Sequence, residues 1–96
     1  MYMTMVEGEV TEERVADLHA AWKENTADLP VGLLESFLVR SESGVWRIVT
    51  VWESKDAVMA MRASGRPAAL VMFERAGSVG SVSMWSVEGR ISALRD

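Results

Sequence analysis

Residues 45–54 read VWRIVTVWES, and this stretch decides the architecture. Val45, Trp46, Ile48, Val49, Thr50, Val51 and Trp52 are β-branched or aromatic, the types that suit a pleated surface. At the two-residue period of a strand, Trp46, Ile48, Thr50 and Trp52 share one face, and Val45, Arg47, Val49 and Val51 share the other. Neither face is mainly polar, so a strand here needs cover on both sides. A chain of 96 residues has little material to clothe both faces of a sheet. Helices take one face, and a second copy of the chain is the expected cover for the other. A homodimer formed through the sheet face is therefore the first expectation.

The neighbouring segments supply the other elements. Residues 33–40 read as a strand, with Leu33, Phe37 and Val39 on one face and Leu34 and Leu38 on the other. The turn formers Ser41-Glu42-Ser43-Gly44 join it to the strand at 45–53 as an antiparallel hairpin. Ser54 is a helix cap, Asp56 suits the first turn, and Ala57, Val58 and Met61 form a buried stripe that ends at Gly65. Pro67 opens a further helix over about residues 67–75 that buries Leu70 and Phe73.

Toward the N-terminus, residues 2–10 alternate as a first strand, with Tyr2, Thr4, Val6, Gly8 and Val10 on one face; Gly8 marks a weak end or a bulge. Thr11 caps a helix over about residues 12–26, whose stripe is Val15, Leu18, His19 and Trp22. Residues 78–87 form the last strand, and residues 88–96 a polar tail that is partly loose or reaches a partner. The order is β-α-β-β-α-β, an α+β ferredoxin-like fold with a four-stranded antiparallel sheet, in one domain over residues 1–96.

Composition removes several functions. The net charge of −4 is scattered and there is no basic stripe, so no nucleic-acid partner is expected. The longest uncharged apolar run, residues 67–73, is too short to span a bilayer, and residues 1–10 carry no basic leader pattern. A soluble, cytoplasmic protein without membrane contact is the expectation. The absence of Cys removes disulfides, thiolate nucleophiles and Cys-ligated zinc. Four Trp and seven Met against two Phe and one Tyr point to a core and interface rich in large adaptable side chains, or to a pocket.

The run Val49-Thr50-Val51-Trp52-Glu53-Ser54, followed by Ala57 in the next helix, resembles the antibiotic-biosynthesis monooxygenase family of dimeric α+β barrels. The resemblance implies a homodimer with sheets face to face and a pocket between sheet and helices in each protomer. It implies an activity among cofactor-free oxygenases of polycyclic phenols or quinols, or among haem-degrading enzymes. In oxygenase members an Asn stands four residues before the strand-ending Trp and a Tyr six residues after it; here these are Ile48 and Val58. Where many members carry a His early in the second helix, this chain has Met61. The haem-degrading constellation falls near Met5, Met61 and Val71, none of which reproduces it.

Tyr2, Trp22, Ile48, Trp52, Val58 and Met61 are the candidate substrate-binding residues. His19, the lone His, is the candidate general base, against a structural or rim position. Trp46 and Trp85 are read as interface residues, and Arg40 and Arg47 as cross-strand partners of Glu35, Glu42 or Glu53. No metal site and no cofactor are called for. Two functions stand side by side: a cofactor-independent monooxygenase acting on a small flat aromatic molecule, and a non-catalytic ligand-binding or assembly module of the same fold. Haem handling is third.

Overall fold

The computed structural model describes residues 1–25 and 27–93. β1 (Tyr2–Glu9) is followed by a 3-10 turn (Glu12–Arg14) and α1 (Val15–Glu24). β2 (Leu33–Arg40) and β3 (Val45–Trp52) form the hairpin, then come α2 (Lys55–Ala63), α3 (Ala68–Arg75) and β4 (Ser81–Ser86). The sheet is antiparallel with strand order β2-β3-β1-β4, the ferredoxin-like arrangement with the helices on one face. No helix among the described residues is long and apolar enough to cross a membrane.

The two faces of β3 divide as its alternation requires. Trp46, Ile48, Thr50 and Trp52 are buried, while Val45, Val49 and Val51 are half-buried and Arg47 is exposed. β1 stands opposite it without interruption, so Thr4, Val6 and Gly8 join the helix-covered face. Gly8 is therefore no bulge. It makes room for Phe73 of α3, because a Cβ there would lie 2.7 Å from the Phe73 ring. The core packs Val6, Val10, Trp46 and Ile48 of the sheet side against Leu18 and Ala21 of α1 and Met72, Phe73 and Ala76 around α3.

Five expectations are corrected. The expected single helix over 12–26 begins as a 3-10 turn, in which Arg14 N bonds to Thr11 O, and its α-helical part is Val15–Glu24. Thr11 makes no side-chain cap bond, and the expected last residue, Thr26, lies outside the described residues, as do residues 94–96 of the tail. In β2 the register shifts between Leu33 and Glu35, leaving Leu34 as the extra residue. Leu33 thus stands opposite Trp52 and joins the helix side with Leu38, while Phe37 and Val39 stay on the open face. Arg47 bonds to Glu7 at 2.6 Å and Arg40 pairs with Glu12, not with the acids of the hairpin. Trp46 is a core residue, 6% exposed, not an interface residue.

The open face is apolar. Phe37 is 48% exposed and Trp85 52% exposed, beside Val39 and the half-buried Met3, Met5, Val45, Val49 and Val51.

Candidate ligand-binding cavity

α2 positions one wall of a cavity. Ser54 Oγ accepts from Ala57 N at 3.2 Å, a cap that starts the helix directly after the Trp52 strand end. Val58 then points inward, fully buried, with Met61 one turn on. Gly32, at φ +88, lets the loop before β2 pass close to α2, since a Cβ there would meet Ala57 Cβ at 2.5 Å. Gly32 O accepts from Glu53 N at 2.8 Å, which closes the end of the sheet under the helix.

Between this wall, α1, α3 and the sheet lies a cavity of about 350 Å³. Trp22, Ile48, Trp52, Val58 and Met61 line it, together with Val6, Met72, Val82 and Met84. Of the seven candidate residues, the structure brings these five together and leaves out two. Tyr2 does not line the cavity, although its register places it opposite Trp52. His19 is exposed, and its ring stands edge-on to Trp46 at 5.6 Å between centroids. Helical periodicity put His19 on the Leu18 stripe, but α1 turns it to the rim of the β3 hairpin end, where Arg40 covers the other part of Trp46 at 5.1 Å. Trp46 Nε1 is buried there without a hydrogen-bond partner.

The floor of the cavity carries a polar row. Ser36, Thr50, Thr4 and Met84 stand opposite one another in register across all four strands. Ser36 Oγ and Thr50 Oγ1 share a hydrogen bond of 2.8 Å, and Trp52 Nε1 donates to Thr4 Oγ1 at 3.0 Å. Asn25 lines the cavity with its amide donating to Ala21 O at 2.9 Å. Arg62 and Asp28 also line it and are both exposed. Arg62 is a residue that sequence reasoning missed. The available signal was its place four residues after Val58, on the same helix face.

The remaining arginines do structural work. Arg14 bonds to Asp17 at 2.6 Å and to Arg75 O at 2.7 Å, while Arg66 pairs with Glu74 and Arg75 with Glu24. The Arg75 guanidinium, by hydrogen bond and charge, holds the Glu24 carboxyl below its ordinary value, and Glu24 raises Arg75 in return. None of these paired residues lines the cavity, although Asn25 beside Glu24 and Pro67 beside Arg66 do.

The donor set does not fit haem. Among the described residues no His, Cys or Tyr lines the cavity, and these are the usual single protein ligands of haem iron. Among the described residues no cluster of His, Cys, Asp and Glu is arranged to hold a metal ion.

A four-stranded antiparallel sheet with helices on one face and a tryptophan-walled apolar cavity beneath them places the chain among small α+β proteins of ferredoxin-like fold. A profile of the family described as antibiotic biosynthesis monooxygenase matches residues 1–71. The chain belongs to that family. Comparison with curated proteins by sequence yields no match. Among solved structures, the chain is similar to the cofactor-independent oxygenase SnoaB from Streptomyces nogalater, with 17% identity and a TM-score of 0.66 over 94% of this chain and 96% of that one. It is also similar to the heme-degrader MhuD from Mycobacterium tuberculosis, solved with two hemes in its active site, with 20% identity and a TM-score of 0.69 over 96% of this chain and all of that one. At these identities the likeness is one of fold.

Proposed function

We propose that the protein is a cofactor-independent monooxygenase whose cavity takes a small flat aromatic molecule. One observation carries this reading: the space beside Trp52 is an open cavity lined by Trp22, Trp52, Ile48, Val58 and Met61, not a filled core. Indole faces stack on flat rings, and the apolar walls exclude water from them. In such a reaction the bound phenol, quinol or anthrone, once deprotonated, reduces dioxygen itself. For an anthrone, one oxygen atom enters the ring carbon that loses two hydrogens, and the other leaves as water. The chain's work is then to orient the substrate and keep it dry. His19 lies outside the lining, so the base is solvent or the rim carboxylate of Asp28.

A panel of anthrones and quinols in an oxygen electrode tests the reading. Dioxygen uptake matched by quinone formation, with a chelator present and no flavin added, is the expected result. No uptake with any member of the panel overturns it.

A second reading, a ligand-binding module without chemistry, is favoured by the paired hydroxyls. Ser36 pairs with Thr50, and Thr4 accepts from Trp52, so the floor presents only hydroxyls already held by protein partners and no carboxylate or imidazole to act as a base. Saturable binding of the same molecules with no oxygen uptake distinguishes it.

In either case we propose that the open face, with Phe37, Val39, Val49 and Trp85, packs on that of a second copy to form a dimer. Sedimentation at micromolar concentration is expected to give twice the chain mass; a stable monomer refutes this packing.

A further inference from the structure

We infer that the cavity selects flat aromatic molecules that carry an acidic substituent, and that Arg62 makes the selection. The inference rests on the cavity being a site for a flat aromatic ligand, and names the class within it.

The polar residues around the cavity fall into two sets. Thr4, Ser36 and Thr50 are engaged with protein partners, as is the Asn25 amide nitrogen. The charged residues at the rim are Arg62, Asp28 and Glu35. Glu35 stands opposite Val51 in register, which assigns its side chain to the open face. Arg62 therefore faces the ligand space as its one cation among the described lining residues.

Arg62 is also unlike the arginines that build the fold. Arg14, Arg40, Arg47, Arg66 and Arg75 each hold a carboxylate. The Arg62 guanidinium instead directs Nη1 to Met84 Sδ at 3.2 Å. A thioether is a weak acceptor, and a guanidinium has five donors in a planar fork that matches a carboxylate. A cation in the last turn of a helix needs no ligand to explain it, because it complements the helix dipole. What the dipole does not explain is the placement over an apolar cavity with only a sulfur to bond. The position four residues after the fully buried Val58 sets Arg62 above the same wall.

Asp28 gives the site a direction. It belongs to the loop that leads into β2, whereas Met84, the Arg62 contact, is on β4, and these strands are the opposite edges of the sheet. An acidic substituent is repelled from the Asp28 side and drawn to the Arg62 side. The flat ring then lies between, against Trp22 and Trp52.

Two fluorescent probes of one shape test this: anthracene-9-carboxylate and the neutral anthracene-9-carboxamide, titrated into the full chain and into Arg62→Gln and Arg62→Lys. The unaltered protein is expected to bind the carboxylate about tenfold tighter than the carboxamide, with the preference shrinking as salt rises. Arg62→Gln is expected to bring the two affinities within about twofold of each other by weakening only the carboxylate, and Arg62→Lys to keep part of the preference. Equal affinities in the unaltered protein, or a preference that survives Arg62→Gln, overturns the inference and leaves the aromatic site standing. Binding of neither probe overturns the aromatic site itself, and the selection with it.

Discussion

Trp52 Nε1 donates to Thr4 Oγ1 at 3.0 Å across a diagonal of the sheet, since Tyr2 stands opposite Trp52 and Thr4 opposite Thr50. The bond ties the end of β3 to the start of β1 beneath the cavity. It also fixes the indole plane that forms one cavity wall. Trp52 is 3% exposed and Thr4 8% exposed, so the bond is largely shielded from bulk solvent.

Thr4→Val keeps the shape of the side chain and leaves the Trp52 N–H buried and unsatisfied. The expected loss is about 1–3 kcal/mol in urea unfolding. Trp52→Phe removes the donor along with part of the wall, and a larger loss is expected. The double variant is expected to lose less than the sum of the two, by about 1 kcal/mol, because the orphaned group is then absent. Strict additivity shows that the bond does not contribute.

The approach of Phe73 to Gly8 predicts a second effect. A methyl group at residue 8 lies 2.7 Å from Phe73 Cδ1, and Phe73 is fully enclosed, so neither side yields freely. Gly8→Ala is expected to destabilise by about 1–3 kcal/mol, as overpacking does. Shortening the neighbour with Phe73→Leu leaves a void on its own but makes room for that methyl group. The combined variant is expected to be more stable than the sum of the two losses allows. An unchanged unfolding midpoint for Gly8→Ala contradicts this packing.

The ion pair between Glu24 and Arg75 links α1 to α3 and carries a pH dependence. Arg75 lowers the Glu24 carboxyl below its ordinary value of 4.5. A lowered folded-state value means stability that is fully present above the unfolded value and lost as pH falls through the folded one. Both groups are solvent-exposed, so the contribution is small and weakened by salt. Melting temperatures measured from about pH 6 down to about pH 3 are expected to fall less steeply in Arg75→Gln than in the unaltered protein. Identical slopes in the two proteins count against the pairing.

The elements that were legible in the sequence are those set by local pattern. The alternation of Trp46, Ile48, Thr50 and Trp52 assigned the buried face of β3, and Ser54 marked the start of α2. What escaped depended on contacts between distant segments. Leu34 is the extra residue in β2, next to the loop where Gly32 passes close to Ala57, and no periodicity within residues 33–40 records that shift. Arg47 reaches Glu7 because β1 lies between β3 and β4. Hairpin residues alone offered only hairpin partners. His19 shares the helical stripe of Leu18 and Trp22, yet α1 sits so that Leu18 enters the core, Trp22 the cavity, and His19 the rim beside Trp46. An apolar stripe specifies which side of a helix is inside, but not which of its residues falls at the edge.

Val58 separates a cavity from a core. It is fully buried, and it borders about 350 Å³ of open space. In a close-packed interior, Val58→Phe forces neighbours aside and costs about 1–3 kcal/mol. Beside a void, the added ring has somewhere to go and gains contacts there. The expected cost is therefore about 1 kcal/mol or less in urea unfolding. The same ring occupies the space between Trp22 and Trp52, so anthracene probes are expected to bind at least about tenfold more weakly. A large loss of stability with unaltered probe affinity places the ligand elsewhere. Val58→Ala is the converse change: it enlarges the space, destabilises by about 2 kcal/mol through the lost methyl groups, and is expected to admit bulkier aromatic probes that the unaltered cavity excludes.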